Sequence, residues 1–310
     1  MISVKDIAFV RYQVTDFEAT ESFYVDFGLH RSVKTERALY MRTRGDAHHA
    51  YIAELGGENK TLGFGFYAQS EQDLIKLASE MKTVVEDSTE PGGGKRVRLT
   101  DPSGFMVDVI FGQTRVAPLP YREPLQFNPA SGRKRLGQVI RLKPEVSSVT
   151  RLGHLALLVA DFKASYAFYT TVLGLKPSDS YYAGDADNKI AAFMHCGLGQ
   201  TFTDHHTLAL ITSPNGVSRF DHSAFEVLDH DDLVQGNVYL KSRGHKHSWG
   251  VGRHIQGSQL FDYWRDPAGN KVEHWTDGDL VNDETPVGNA PISNDELSQW
   301  GPALTPEFFL

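Results

Sequence analysis

Two stretches far apart in the chain carry the same marks, and that repetition constrains the fold more than any other feature. "VTDFEATESFYVDFGLH" (14–30) and "VADFKASYAFYTTVLGLK" (159–176) each place Asp-Phe, five residues, then Phe-Tyr, and close on Gly-Leu. Further on, "LTDPSGFMVDVIFG" (99–112) and "WRDPAGNKVEHWTD" (264–277) share an Asp-Pro-x-Gly turn and the strand that leaves it. Matches in the same order indicate a duplicated domain. A chain of 310 residues has room for about two.

Each half reads further in the same way. A strand with apolar alternation (4–14, 152–159) leads to an Asp placed as an N-cap, Asp16 or Asp161. The helix that follows has aromatic residues at matching places (Phe17, Phe23, Tyr24; Phe162, Phe168, Tyr169). Short β-rich segments come next, around Leu39–Tyr40 and Ala50–Ala53 in one half and Ile190–Met194 and Thr207–Thr212 in the other. A second strand and helix then begin at 62–81 and 221–244. The expected fold is α+β: two tandem domains, each of paired βαβββ modules forming a cup-shaped mixed sheet. The expected boundaries are 1–115 for the first domain and 116–150 for a linker rich in Pro and basic residues. The second domain spans 151–280, and 281–310 forms a tail packed on it.

Aligning the halves asks what occupies the centre of each cup. His154 stands where the first half has Phe9, His222 where it has Gly63, and Glu273 where it has Asp108. A strand that leans on a core seldom holds a glutamate unless something positive waits for it. An unpartnered imidazole inside "LGHLALLV" (152–159) is costly as well. Any one of the three alone reads more simply as an ordinary core or surface residue. Together, on three separate strands, they form the 2-His-1-carboxylate donor set, which leaves open coordination positions and suits non-haem Fe(II), with Mn²⁺ accepted as well. Such a site keeps a single net positive charge, which a singly deprotonated substrate neutralises. The first half, lacking the set, reads as a scaffold without metal.

Charge and composition remove other classes of function. With 31 basic and 39 acidic residues the net charge is −8, against a nucleic-acid footprint and against attraction to an anionic membrane. No apolar run approaches the roughly 20 residues of a membrane span, and the N-terminal residues lack a basic-then-apolar leader pattern. The single cysteine, Cys196, rules out an intrachain disulfide framework and fits a reducing cytoplasm.

"GRHIQGSQLFDYWRDPAGNKVE" (252–273) resembles the signature segment of type I extradiol ring-cleavage dioxygenases, members of the vicinal oxygen chelate (glyoxalase-like) superfamily. That segment runs Gly-x-His, a spacer, Tyr, Asp-Pro-x-Gly and a final Glu ligand. The fit covers His254, Tyr263, Asp266, Pro267, Gly269 and Glu273, and departs at Asp262, where the family has an apolar residue. The resemblance implies Fe²⁺ on His154, His222 and Glu273, and a catechol-type diol opened beside its hydroxyls with both atoms of O₂ inserted, as in the degradation of aromatic compounds. It also implies a homo-oligomer, from dimer to tetramer or larger.

The resemblance further implies an acid–base histidine directly before a short apolar strand, which selects His206 in "TDHHTLAL" (203–210). Strand alternation lets only one of the adjacent pair face the site, so His205 is the alternative and otherwise a surface residue. His254 and Tyr263 match the family's pair that hydrogen-bonds the substrate oxygens. Ala156, Phe193, Trp249 and Phe261 suggest an apolar pocket for a monocyclic, weakly polar catechol ahead of a bicyclic one. His230, His245 and His247, set among Asp, Lys and Ser, read as solvated. Two rivals share the fold. A glyoxalase- or epimerase-like enzyme stabilises an enediolate but needs more carboxylate ligation and lacks the His206–His254–Tyr263 set. A non-catalytic protein could instead sequester a ligand in the cup.

Overall fold

The computed structural model describes residues 2–292 and 297–309. The first half supplies β1 (Val4–Val14), α1 (Phe17–Phe27), β2 (His30–Lys34), β3 (Ala38–Arg42) and β4 (Tyr51–Leu55). A second unit repeats the plan with β5 (Lys60–Ala68), α2 (Glu71–Glu80), β6 (Glu86–Asp87), β7 (Lys95–Thr100) and β8 (Met106–Phe111). After a segment without helix or strand come β9 (Val149–Val159), α3 (Phe162–Thr171), β10 (Leu175–Tyr182), β11 (Lys189–Cys196), β12 (Thr203–Asp204) and β13 (Leu208–Thr212). The last unit is β14 (Arg219–Val227), α4 (His230–Ser242), β15 (Lys246–Arg253), β16 (Leu260–Arg265) and β17 (Lys271–Thr276). Two short strands follow: β18 (Leu280–Val281) pairs with β12, and β19 (Gly288–Pro291) edges β10.

The first sheet runs β2-β3-β4-β1-β5-β8-β7-β6, and the second β15-β16-β17-β14-β9-β13-β11-β10-β19. In each, the opening strands of the two modules pair antiparallel at the centre, β1 with β5 and β9 with β14. Each opening strand also pairs parallel with its own module's last strand. That is the paired βαβββ plan, and it sets the opening strands at the middle of each cup. The helices start where the sequence places them: the Asp16 side chain accepts from the Ala19 amide and Asp161 from that of Ala164.

The repeated motifs meet each other across the halves. The Tyr169 hydroxyl, from the second half's Phe-Tyr, donates to Asp101 of the first half's Asp-Pro-x-Gly at 2.7 Å. Tyr24, from the first Phe-Tyr, donates to Asp266 of the second turn at 3.2 Å. All four residues are buried. The markers that reveal the duplication are therefore reciprocal fasteners between the copies, reinforced where His274 Nε2 donates to the Phe27 carbonyl at 2.7 Å.

The buried turn has a consequence for pH. Burial pushes the Asp266 carboxyl up to about 6, against hydrogen bonds from Asn270 and Tyr24. A raised folded-state value means that stability is fully present below the unfolded carboxyl value near 4 and is lost as pH rises through about 6. Between pH 4 and 7 the wild type should lose roughly 2 kcal/mol relative to Asp266→Asn, which carries no such charge. Urea unfolding of both proteins across that range measures the difference; parallel curves would remove the effect.

The tail expected over 281–310 returns to the second half, residues 293–296 and 310 lying outside those described. Trp249 Nε1 donates to the Pro302 carbonyl at 2.8 Å, and the Phe308 ring packs on Trp249 and Tyr263. No helix among the described residues is long and apolar enough to cross a membrane.

Candidate metal centre

Register decides which side chains share the hollow of the second sheet, because residues opposite one another on neighbouring strands point to the same face. One row across the sheet reads Trp249, Tyr263, Glu273, Ala224, His154, from β15 through β16, β17 and β14 to β9. The next reads Phe193, Ala209, Ala156, His222, from β11 through β13 and β9 to β14. Ala224 is the only small residue between Glu273 and His154, and it lets the two longer side chains lean together over it.

Among the described residues, His154, His222 and Glu273 are a group able to hold a metal ion, with ligand atoms all within 4.8 Å of one another. His154 Nε2 is 3.1 Å and His222 Nε2 3.5 Å from Glu273 Oε2. Burial alone would raise the Glu273 carboxyl, but the hydrogen bond with His154 and the surrounding imidazoles outweigh it and hold it below the usual value. Glu273 Oε1 and His154 Nδ1 are buried without a hydrogen-bond partner. A buried carboxylate with an idle oxygen between two imidazoles is a donor set that a divalent cation completes, and its composition fits Fe²⁺ or Mn²⁺.

His206 and His254 stand over this centre. The His206 ring lies 4.2 Å from that of His154 and 4.8 Å from that of Phe193. Burial, then the neighbouring imidazoles, push His206 well below its ordinary value, so it is neutral. His254 Nε2 is 3.0 Å from the Tyr263 hydroxyl and 3.8 Å from Glu273 Oε1, while its Nδ1 bonds the Leu297 carbonyl at 2.7 Å. These groups line a cavity of about 400 Å³ whose remaining walls are largely apolar, including Leu158, Ile190, Ile211 and Phe308. Trp249, Ala156 and Phe193 also line it. Phe261 lies behind, its ring 4.1 Å from those of Trp249 and His254.

Several readings of single residues change. His205 is buried, not a surface residue, and bonds both His206 and Asp179. His245 and His247 are half-buried and paired with Asp26 and Asp262 instead of solvated. Asp262, the departure from the family segment, is fully buried on the face opposite Tyr263, where Trp264 Nε1, His247 and Asn237 satisfy it. Asp221 went unnoticed because alternation aims it away from His222. A register shift between Phe220 and His222 brings its carboxylate to His222 Nδ1 at 2.7 Å, with Lys271 on its other side. Such a partner fixes the ring of a metal-ligating histidine.

The first half answers the same position differently. Its row is Phe9, Gly65, Asp108, Arg98, so an arginine stands where the second half has Tyr263. Arg98 grips Asp108 through two bonds of 2.7 and 2.8 Å, and Arg11 lies 3.7 Å away. Fixed guanidinium charge there neutralises the carboxylate.

Comparison with known proteins gives the family. The Glyoxalase/Bleomycin resistance protein/Dioxygenase superfamily matches residues 6–109 and 151–274. Metapyrocatechase 2 of Cupriavidus necator is 31% identical over 99% of this chain and 92% of its own. An iron-dependent extradiol dioxygenase of Rhodococcus jostii (strain RHA1) is 25% identical over 97% of both. Among solved structures, the Mn(II)-bound glyoxalase of Novosphingobium aromaticivorans superposes with a TM-score of 0.81 at 24% identity, covering 99% of this chain and 94% of that one. At that identity the superposition speaks to fold alone.

Proposed function

Since the chain belongs to the glyoxalase/bleomycin resistance protein/dioxygenase superfamily, we propose that His154, His222 and Glu273 hold the iron of an extradiol dioxygenase, which inserts both atoms of O₂ into a catechol-type diol and opens the ring beside the hydroxyls. The observation that carries this reading is the convergence of one buried carboxylate and two imidazoles, the imidazoles lining a cavity together with His206, His254 and Tyr263. Residues 151–280 are the catalytic half, and 1–115 a scaffold whose Asp108 is already neutralised by arginine. Only one carboxylate ligand and three further acid–base groups argue against the glyoxalase-like and ligand-sequestering readings.

When bound, the iron supplies Lewis acidity toward the substrate's vicinal oxygens and an electron path to O₂. The chain's own residues do the rest. The Leu297 carbonyl can only accept, so His254 carries its hydrogen on Nδ1 and offers Nε2 to the Tyr263 hydroxyl. Tyr263 can then accept from one substrate hydroxyl while donating to His254, a path by which that proton leaves. His206, neutral and facing the same cavity, takes and returns the other proton. The apolar walls exclude water and favour a monocyclic, weakly polar diol. The reading further takes the protein to be homo-oligomeric and cytoplasmic, the last supported by a lone buried thiol, Cys196.

Oxygen uptake tests it. Protein loaded anaerobically with Fe²⁺ is expected to consume O₂ on addition of catechol or an alkylcatechol and to release a yellow ring-opened semialdehyde. Iron-loaded protein that takes up no O₂ with any of these diols overturns the proposal.

A further inference from the structure

We propose that Asp179 and His205 are positioning residues that fix the tautomer and the aim of His206, an inference that rests on His206 being the acid–base group of the reaction above. The three form one hydrogen-bonded line. Asp179 Oδ2 is 2.7 Å from His205 Nε2, and His205 Nδ1 is 3.1 Å from His206 Nδ1. Asp179 sits on β10 with its side chain a quarter exposed (25%), whereas His205 and His206 are buried. The line thus runs from a partly solvated carboxylate to the catalytic cavity.

With His205 in its uncharged form, donor and acceptor roles follow along it from the Asp179 end. A carboxylate only accepts, so His205 carries its hydrogen on Nε2. A neutral imidazole then has a lone pair on Nδ1, which must accept from His206 Nδ1–H. That leaves His206 with a bare Nε2, the form that can take a proton. Without Asp179, His205 could place its hydrogen on Nδ1. His206 would then accept there and carry its hydrogen on Nε2, the form that cannot take one. In the reaction the O–H bond of a substrate hydroxyl breaks as a new N–H forms at His206 Nε2. The imidazolium keeps its Nδ1–H on His205, whose other side is held by the Asp179 carboxylate. The same proton returns to oxygen as the ring opens, so His206 ends as it began.

The surroundings are built to hold this line. The His205 backbone is pinned at both ends, its amide donating to the Asp279 carbonyl at 2.9 Å and its carbonyl accepting from Ser178 Oγ at 2.5 Å. Gly257, at φ +74°, packs so closely that a Cβ there would lie 3.0 Å from His205 Nδ1. Gly288 on β19 passes directly over Asp179, and a Cβ there would lie 1.7 Å from Asp179 Oδ1. The edge strand thus confines the carboxylate that orients the pair.

A double-mutant cycle on the full-length, iron-loaded protein with catechol decides the matter. Asp179→Asn is expected to lower kcat about 10- to 100-fold, part of the 10²- to 10⁴-fold that a positioned acid–base group contributes. KM and iron content are expected to stay within about twofold, and the solvent deuterium isotope effect on kcat to rise. In a His206→Ala background the same change is expected to add nothing, because residues acting as one unit are not additive. An additive effect, or an unchanged kcat and isotope effect in Asp179→Asn, overturns the proposal. Should that variant not fold, His205→Gln runs the same cycle with the same criteria. Wild-type protein that fails to cleave catechol marks a failure of the underlying reading instead, and the two results are told apart before any variant is made.

Discussion

Replacing Glu273 with glutamine is expected to strip the protein of iron and abolish ring cleavage. The amide keeps the volume of the side chain, so packing between Tyr263, Ala224 and His154 survives. What disappears is the only carboxylate among the three proposed ligands. Two neutral imidazoles and a neutral amide offer a divalent cation no charge in a fully buried site, where an unbalanced charge is most costly. Changes to groups merely supporting metal ligands cost about 10- to 100-fold in affinity, so loss of a ligand itself should cost at least about 10²-fold. Iron content after anaerobic reconstitution reads this directly. A second readout needs no activity. A ligand at a hundredfold its Kd stabilises the folded state by about 2.7 kcal/mol, so Mn²⁺ is expected to raise the wild-type melting temperature and leave that of Glu273→Gln unmoved. A variant that retains iron at the wild-type level would dismiss Glu273 as a ligand.

The duplication was legible because its markers are short, local and rigid: an N-cap aspartate, a Phe-Tyr pair and an Asp-Pro-x-Gly turn. The convergence of His154, His222 and Glu273 was legible because the two copies could be compared position by position. What stayed hidden depends on partners that sequence does not bring together. Asp262 looked like a flaw in an apolar strand, yet Trp264, His247 and Asn237 give a buried carboxyl all the donors it needs. His245 looked solvated, yet its partner Asp26 comes from the other half of the chain. Asp221 was hidden by the strand rule itself, since a one-residue register shift suspends alternation where it matters. Asp179 carried no signal at all, because its meaning depends on His205 and on a glycine strand more than a hundred residues later. The first half's arginine pair was equally silent until registers placed Arg98 opposite Asp108.

His206→Ala separates chemistry from metal binding. The His206 ring touches His154 and Phe193 but is not among the three proposed ligands, so the variant should keep its iron. Substrate affinity should change little, because His254 and Tyr263 remain joined to each other and to Leu297 on the other side of the cavity. What is lost is the neutral imidazole that, on the proposed mechanism, accepts and returns a proton, and alanine offers nothing in its place. The expected fall in kcat is about 10²-fold or more, the scale of general acid–base catalysis, with KM and iron content near wild type. Stopped-flow turnover on protein of measured iron content gives all three numbers. If the imidazole served only to wall the cavity, His206→Phe would restore turnover. If it carries the proton, phenylalanine will be as slow as alanine, since a ring of similar size without a basic nitrogen can pack on Phe193 yet hold no proton. Wild-type turnover in either variant would remove His206 from the chemistry, and with it the reason for the line that runs through His205 to Asp179.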